Sequence, residues 1–278
     1  MKRNTLPPLA VMVLAASFIN WSCSKINWKD LDVDPKKQVS KCDVAEYHQP
    51  HYDQENLGFP FLFKKTYDQS GKKVKEIDCS FWSAIGPSTM VHHVLLVHQK
   101  GQRLYLLEKN NPDDTVMKAN LNNKGRVEYY ETNGSLDWGN PVTSTFASFI
   151  YKNNRLVFIS TGGTYWGGWS GVTGGDSLIY DTQGNLLAFG SNSYEYDYTR
   201  TSTEQFYIDD FIEGPNKGYY LLQYLGFFPE VTNPPNLRLY GDAIFYEGDY
   251  VNHTFDAEGR LTGYQFAETQ ATIVWNCK

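Results

Sequence analysis

Apolar residues in this chain come in short runs that Gly, Pro or Asn interrupts every few positions. Val91 to Val97 and Leu104 to Leu107 flank Gly101, and 155–160 reads Arg-Leu-Val-Phe-Ile-Ser. Each run has the length of a strand. Tyr194, Tyr196 and Tyr198 alternate with Glu195 and Asp197, which predicts a strand with one aromatic and one wet face. No segment after the leader carries the spacing of an amphipathic helix, so none is predicted there. The runs are joined by turn signals. Gly71, Gly101, Gly125, Asn154, Gly184, Gly218 and Gly259 mark seven hairpin tips, spaced 30, 24, 29, 30, 34 and 41 residues apart. Recurrence on that scale predicts a fold of repeated supersecondary units.

The turn chemistry is specific in three units: 67–71 (Tyr-Asp-Gln-Ser-Gly), 180–184 (Tyr-Asp-Thr-Gln-Gly) and 255–259 (Phe-Asp-Ala-Glu-Gly). Asp opens such a turn by accepting hydrogen bonds from the backbone ahead of it. Gly closes it in the left-handed region, where a Cβ is costly. Asn122 replaces the acid before Gly125, and Asn154 takes the left-handed position itself. The units at Gly101 and Gly218 are weaker: the first lacks the opening acid, and the second is a longer turn. The expected fold is all-β, an antiparallel meander of hairpins forming a barrel or a strongly curved sheet, with a β-sandwich as the alternative. A membrane-embedded barrel fits less well, because few strands offer the outward apolar alternation that it needs.

These units resemble the tyrosine–aspartate hairpin repeats of bacterial surface shells and of Gram-negative lipoproteins, some of which have a porin-like β fold. The resemblance spans about residues 60–270. It implies fold and location rather than substrate.

The beginning of the chain supports an exported protein. Lys2 and Arg3 precede an 11-residue apolar stretch from Leu9 to Ile19, too short for a spanning helix. Ser22 then leads to Cys23, which resembles the lipid-attachment cysteine of bacterial lipoproteins. Asn20 and Trp21 depart from that pattern, and cleavage near Ala15-Ala16-Ser17 is the rival reading. The expected organisation is a signal peptide over 1–22, a lipid-anchored tether over 23–45 and a β-hairpin domain over 46–278. Lipidation would leave Cys42, Cys79 and Cys277 for one disulfide and one odd thiol, whereas upstream cleavage would leave all four for two bridges in three possible pairings. Cys79–Cys277 is the preferred bridge, because it ties an early hairpin to the last strand. Cys42–Cys79 closes a shorter loop.

Composition narrows the partners. The chain has 25 basic and 31 acidic residues, a charge of −6 that becomes −8 once Lys2 and Arg3 are removed. Nucleic acid, which is bound through positive patches, is not an expected partner. The lipid would attach the protein to a membrane, and a glycan or an envelope protein is the expected partner beyond it.

Candidate chemistry is sparse. Residues 175–178 read Gly-Asp-Ser-Leu, the signature of a hydrolase family in which the serine is the nucleophile. Here the tetrapeptide is mid-chain and the base is out of place: His253 follows Asp249 at the wrong spacing. The ordinary reading is a turn at 174–176. His48 with His51, and His92 with His98, lack ligand spacing, so no metal and no cofactor is expected. Asp209 with Asp210, and Glu195 with Asp197, are acid pairs of a kind glycosidases use, but adjacent strand residues point to opposite faces. The most unusual piece is 161–171, where Tyr165, Trp166 and Trp169 stand among glycines. The rings either face outward and stack on a ligand, with Tyr194, Tyr196 and Tyr198 extending the platform, or fold back to plug the barrel mouth. The function expected is a non-enzymatic envelope lipoprotein that binds through this aromatic loop. An extracytoplasmic hydrolase and a purely structural envelope protein are the alternatives.

Overall fold

The computed structural model describes residues 42–49, 61–82, 90–133, 144–165, 169–201, 204–207, 217–243, 246–266 and 269–277. Strands β1 (Asp43–Gln49), β2 (Phe61–Tyr67), β3 (Val74–Trp82) and β4 (Met90–Lys100) lead into β5 (Arg103–Glu108), β6 (Asn111–Leu121), β7 (Val127–Asn133) and β8 (Ser144–Lys152). Then come β9 (Arg155–Tyr165), β10 (Trp169–Tyr180), β11 (Leu186–Phe189) and β12 (Asn192–Thr201). The last four are β13 (Asn236–Ala243), β14 (Tyr246–Phe255), β15 (Leu261–Phe266) and β16 (Thr269–Asn276). Each pairs antiparallel with the next, and β1 pairs with β16, so the sheet is a closed 16-stranded meander barrel. β1 starts at Asp43, inside the segment expected to be tether.

Six of the seven expected tips turn in the left-handed region, from Gly101 at φ 60° to Gly184 at φ 102°, with Asn154 at φ 62°. The opening acids act as the turn chemistry requires. Asp181 Oδ1 accepts the amides of Gln183, Gly184 and Asn185 at 2.9, 2.6 and 2.8 Å. Asp256 Oδ1 accepts those of Glu258 and Arg260. All six turns join an even strand to the following odd strand, so strand alternation sets them at one end of the barrel, the turn end.

The seventh even-to-odd connection, from β12 to β13, is different. Gly218 is not a hairpin tip but lies in a helix, α1 (Lys217–Tyr224), followed by the short α2 (Pro229–Thr232). The expectation of no helix is therefore corrected. Gly218 serves close approach instead of a turn. A Cβ there would lie 2.8 Å from the Tyr130 ring and 2.9 Å from the Thr132 methyl.

This connection fills the lumen. Tyr219, Tyr220, Leu221, Leu222, Tyr224, Phe228 and Val231 are all buried. Phe206 packs on Tyr47 of β1 and Tyr224 on Phe63 of β2. Tyr219 and Phe228 pack on Phe149 of β8, and Tyr207 packs on Tyr250 and Tyr264 of β14 and β15. One segment can touch strands from β1, β8 and β14 together only from inside the ring. Alternate wall residues meet it there, including Ile77, Leu95, Leu106 and Ala147, which gives a single core.

Two polar clamps fix the plug. Glu230, after α1, accepts Arg126 Nη1 on both oxygens at 2.6 and 2.8 Å and the Leu156 amide at 3.1 Å. Tyr224 donates to the Ala45 carbonyl at 2.5 Å beneath Lys65, whose ammonium lies 4.4 Å from the ring centre and 2.6 Å from Asp43.

The disulfide is Cys42–Cys277, not either of the pairings expected, and Cys79 is a buried free thiol. The reason is closure. With an even number of strands the chain enters and leaves the barrel at the same end, and β1 lies beside β16. Cys79 instead sits on the inward face of β3, away from that seam.

Removal of the Glu230 carboxylate leaves Arg126 and the Leu156 amide without their shared partner, so Glu230→Ala is expected to cost about 3 kcal/mol in urea unfolding. A change under about 0.5 kcal/mol would show that the clamp does not hold the plug. Burial raises the Cys79 thiol well above its ordinary value. In the folded, non-reduced protein iodoacetamide should therefore leave Cys79 unlabelled, and denaturant alone should expose it to modification, read by peptide mass spectrometry.

Candidate functional site

At the end opposite the tight turns each odd strand finishes and the following even strand begins; residues 50–60, 83–89 and 134–143 lie outside the described residues. We call this end the rim. The β8–β9–β10 wall reaches it. β9 pairs with β8 up to Thr164 opposite Ser144, and with β10 up to Tyr165 opposite Trp169. Residues 161–165 and 169–171 are thus strand rather than irregular loop. Residues 166–168, with Trp166, lie outside the described residues, as do the side chains of Tyr165 and Trp169. The backbone sets Tyr165 opposite Trp169 at the rim.

The three tyrosines of β12 do not join them. Tyr194 and Tyr196 are buried in the lumen, where they cage Arg238. This guanidinium is fully buried, 4.5 Å from the Tyr194 ring centre, 4.7 Å from Tyr207, 5.5 Å from Tyr250 and 5.9 Å from Tyr196. Ring faces are negative, so four of them compensate part of the charge that burial strips of water. Tyr198 is exposed, but its hydroxyl donates to Asp181 at 2.9 Å, which places it at the turn end. The aromatic platform expected across 165–198 therefore divides into a rim pair, a buried cage and one surface ring.

Other expected residues are placed as follows. Cys23, His51, Asp209 and Asp210 fall outside the described residues. Residues 174–177 lie within β10, not in a turn. Ser177 faces outward beside Phe158, and no histidine ring bonds it among the described residues. His92 and His98 are exposed on β4, with His92 Nε2 2.7 Å from Asp78. His48 is exposed on β1. Glu195 and Asp197 share the outward parity of β12.

One row of residues was invisible in the sequence. Cys79 on β3 is in register with His93 on β4, and His93 Nδ1 lies 2.9 Å from Glu108 Oε2 on β5. A thiol, an imidazole and a carboxylate are the types a nucleophilic triad uses. The thiol is fully buried, however, and burial together with Asp78 and Glu108 raises its pKa, so the thiolate is suppressed. The row reads as a buried polar seam of the wall. Its members are about 15 residues apart in sequence, and only strand register brings them together.

The outer wall from β1 to β7 is charged. Glu46–Lys64 at 2.8 Å, Glu76–Lys109 at 2.7 Å and Glu131–Lys118 at 3.7 Å are ion pairs between strand neighbours or beside them. From β8 to β10 apolar and small polar residues share it: Ile150 and Ile179 are half exposed, with Phe158 between them over Gly175, among Ser148, Ser160 and Ser177.

The fold resembles two crystal structures of porin-like proteins. The one from Bacteroides uniformis has a TM-score of 0.54 at 11% identity, over 84% of this chain and 98% of that one. The one from Bacteroides vulgatus has a TM-score of 0.54 at 13% identity, over 84% and 99%. At such identity the likeness is one of fold. No family model and no curated protein matches the chain.

The lumen's phenols give a pH dependence. Burial raises the pKa of Tyr67, Tyr151, Tyr180, Tyr207, Tyr224 and Tyr264. A raised native pKa means that the unfolded chain loses its proton first, so this stability is whole below pH ~10 and is lost above it. Lys65 has the opposite sign: burial lowers its pKa, so it adds stability as pH rises toward ~10.4. Six phenols should outweigh one amine. The melting temperature is expected to fall steeply above pH ~10, with phenolate absorbance appearing only as the barrel unfolds. Free titration of all tyrosines near pH 10 in a folded protein would contradict the buried cage.

Proposed function

We propose that this protein is a non-enzymatic, lipid-tethered barrel of the bacterial cell envelope that stands in water and binds a glycan or protein partner at its rim. The observation that carries the reading is the combination of a filled lumen and ion pairs on the outer wall from β1 to β7. A plug packed on β1, β2, β8, β14 and β15 leaves no channel through the described core. The pairs Glu46–Lys64, Glu76–Lys109 and Glu131–Lys118 stand on the outside, where a bilayer would add ~2–4 kcal/mol for each Lys at its midplane. A barrel with such a wall is served by an anchor outside the strands, and Cys23 supplies the candidate. The porin-like neighbours support an envelope setting for the fold, and the hairpin repeats of Gram-negative lipoproteins support the tether.

The binding end is assigned to the rim because the turn end is closed by six tight turns, the disulfide and the base of the plug. Tyr165, Trp166 and Trp169 are the rim residues whose rings stack best on a sugar face or an apolar partner surface. Trp166→Ala with Trp169→Ala is expected to leave the melting temperature within a degree or two and to reduce retention on an immobilised glycan array or on envelope extracts at least tenfold. A large drop in melting temperature would make these rings core. Metabolic labelling with a fatty-acid analogue should mark the natural chain and not Cys23→Ser, and labelling of both would exclude Cys23 as the anchor.

A further inference from the structure

Positive charge gathers at the turn end. The hairpin ends 68–75, 98–103, 122–128 and 151–155 hold nine Lys or Arg against two acids, Asp68 and Glu128, a net of +7 where the whole chain is −6. Glu230 offsets Arg126, which leaves +6. These hairpins join β2 to β9, eight consecutive strands of the 16, so the basic arc spans half of the ring. Lys72, Lys73, Lys75, Lys100, Arg103 and Lys124 are exposed, and none forms an ion pair among the described residues. Exposed cations outside the arc are matched: Lys64 by Glu46, Lys109 by Glu76, Lys118 by Glu131 and Arg200 by Asp197. The turn at Gly259 is matched too, since Arg260 pairs with both Asp256 and Glu258.

The chain that precedes the barrel arrives at this same end. Asn276, next to the Cys42–Cys277 bridge, donates from Nδ2 to the Gly71 carbonyl at 3.1 Å, which sets the seam against the first basic hairpin. Cys42 follows Cys23 by 19 residues, a reach of at most ~65 Å. Residues 24–41 add five Lys against three Asp, and Lys36, Lys37 and Lys41 come after the last of those acids.

We propose that the basic half of the turn end rests on an anionic lipid surface and so turns the rim away from the membrane. The inference rests on the reading of Cys23 as the anchor, and it names the face that meets the bilayer. The total charge of −8 without the leader does not oppose this contact. Solvent ions screen exposed charge beyond ~8 Å at physiological ionic strength, so the arc nearest the headgroups decides. Cations spread over four hairpins match a plane of headgroups better than one small anion, which needs converging donors. Asp68 and Asn122 already hold the backbone at Lys72, Lys73 and Lys124, so contact orders little beyond side chains.

The test uses the folded mature chain from residue 23 with Cys23→Ser, which carries no lipid. Vesicles are of phosphatidylcholine alone or of an equimolar mixture with phosphatidylglycerol. Co-sedimentation should show at least tenfold stronger partition onto the anionic vesicles. That preference should vanish between ~0.1 M and ~1 M salt, where the screening length falls from ~10 Å to ~3 Å. The anionic vesicles should shield Lys72, Lys73, Lys100 and Lys124 from acetylation, read by peptide mass spectrometry, and leave Lys64 and Lys118 labelled as in solution. Lys72→Gln, Lys73→Gln, Lys100→Gln and Lys124→Gln combined should weaken partition at least tenfold at an unchanged melting temperature. Lys64→Gln with Lys118→Gln should leave it unchanged. The acetylation pattern decides the matter if the fourfold variant folds poorly. Equal partition onto both vesicles, shielding of Lys64 and Lys118 in place of the turn lysines, or full binding by a folded fourfold variant would overturn the proposal. So would displacement by inorganic phosphate beyond that by chloride at equal ionic strength, which would make the ligand a free phosphate. Tighter binding of dextran sulfate than of vesicles would give the face to an acidic glycan and overturn it as well. If fatty-acid labelling marks Cys23 but the vesicles are not bound, the anchor stands and this face alone is wrong. If the vesicles are bound but Cys23 is unlabelled, the face stands without the anchor.

Discussion

A ring of 16 strands encloses more space than its own inward side chains can fill, and an empty apolar lumen would forfeit most of the contacts that stabilise a core. The connection between β12 and β13 meets that constraint. It brings Phe206, Tyr207, Tyr219, Tyr224 and Phe228 into the ring, where they meet aromatics of β1, β2, β8 and β14. The wall and the plug therefore stabilise each other. The inward face of the sheet is apolar because the plug covers it, and the plug holds a helix of only eight residues because the wall surrounds it. Gly218 and Glu230 mark the tolerance of that fit, one by absence of a side chain and the other by a carboxylate that accepts three hydrogen bonds from two donors.

Most of the architecture is legible in local chemistry. An acid followed by a left-handed glycine reports a turn without any knowledge of the rest of the chain, which is why the tips at Gly71, Gly184 and Gly259 stand out. What sits between them is less local. The segment 217–225 is apolar on nearly every side and has no amphipathic period, so it reads as another strand. A run that is apolar all round also fits a buried helix, and the weak tip beside it was the available hint. The disulfide was similarly out of reach of spacing alone. Once closure is granted, an even strand number brings Cys42 and Cys277 together at the seam, and no such argument reaches Cys79. The candidate site was legible in kind and only partly in place. Alternation correctly gave β12 an aromatic face, but the face turned inward to Arg238 because that strand lies against the plug.

Charge is distributed with the same economy. The guanidinium of Arg238 and the ammonium of Lys65 are held inside by rings and, for Lys65, by Asp43. The ion pairs between strand neighbours are outside, where solvent screens them and each contributes little to stability. Their consequence is for environment rather than for folding. The stretch of wall that carries Glu46–Lys64, Glu76–Lys109 and Glu131–Lys118 is compatible with water and costly in hydrocarbon.

Closure, plug and wall together restrict where this molecule can meet anything else. The turn end is occupied by tight loops whose polar groups are spent on their own backbone, as at Asp181 and Asp256. The lumen is filled. The wall from β1 to β7 offers scattered, self-paired charge. The β8–β10 side differs: Ile150, Ile179 and Phe158 stand on its outer face among Ser148, Ser160 and Ser177, and glycines thin the side chains along β10. The rim beside it is the end where neither the tight turns nor the disulfide seam intervenes.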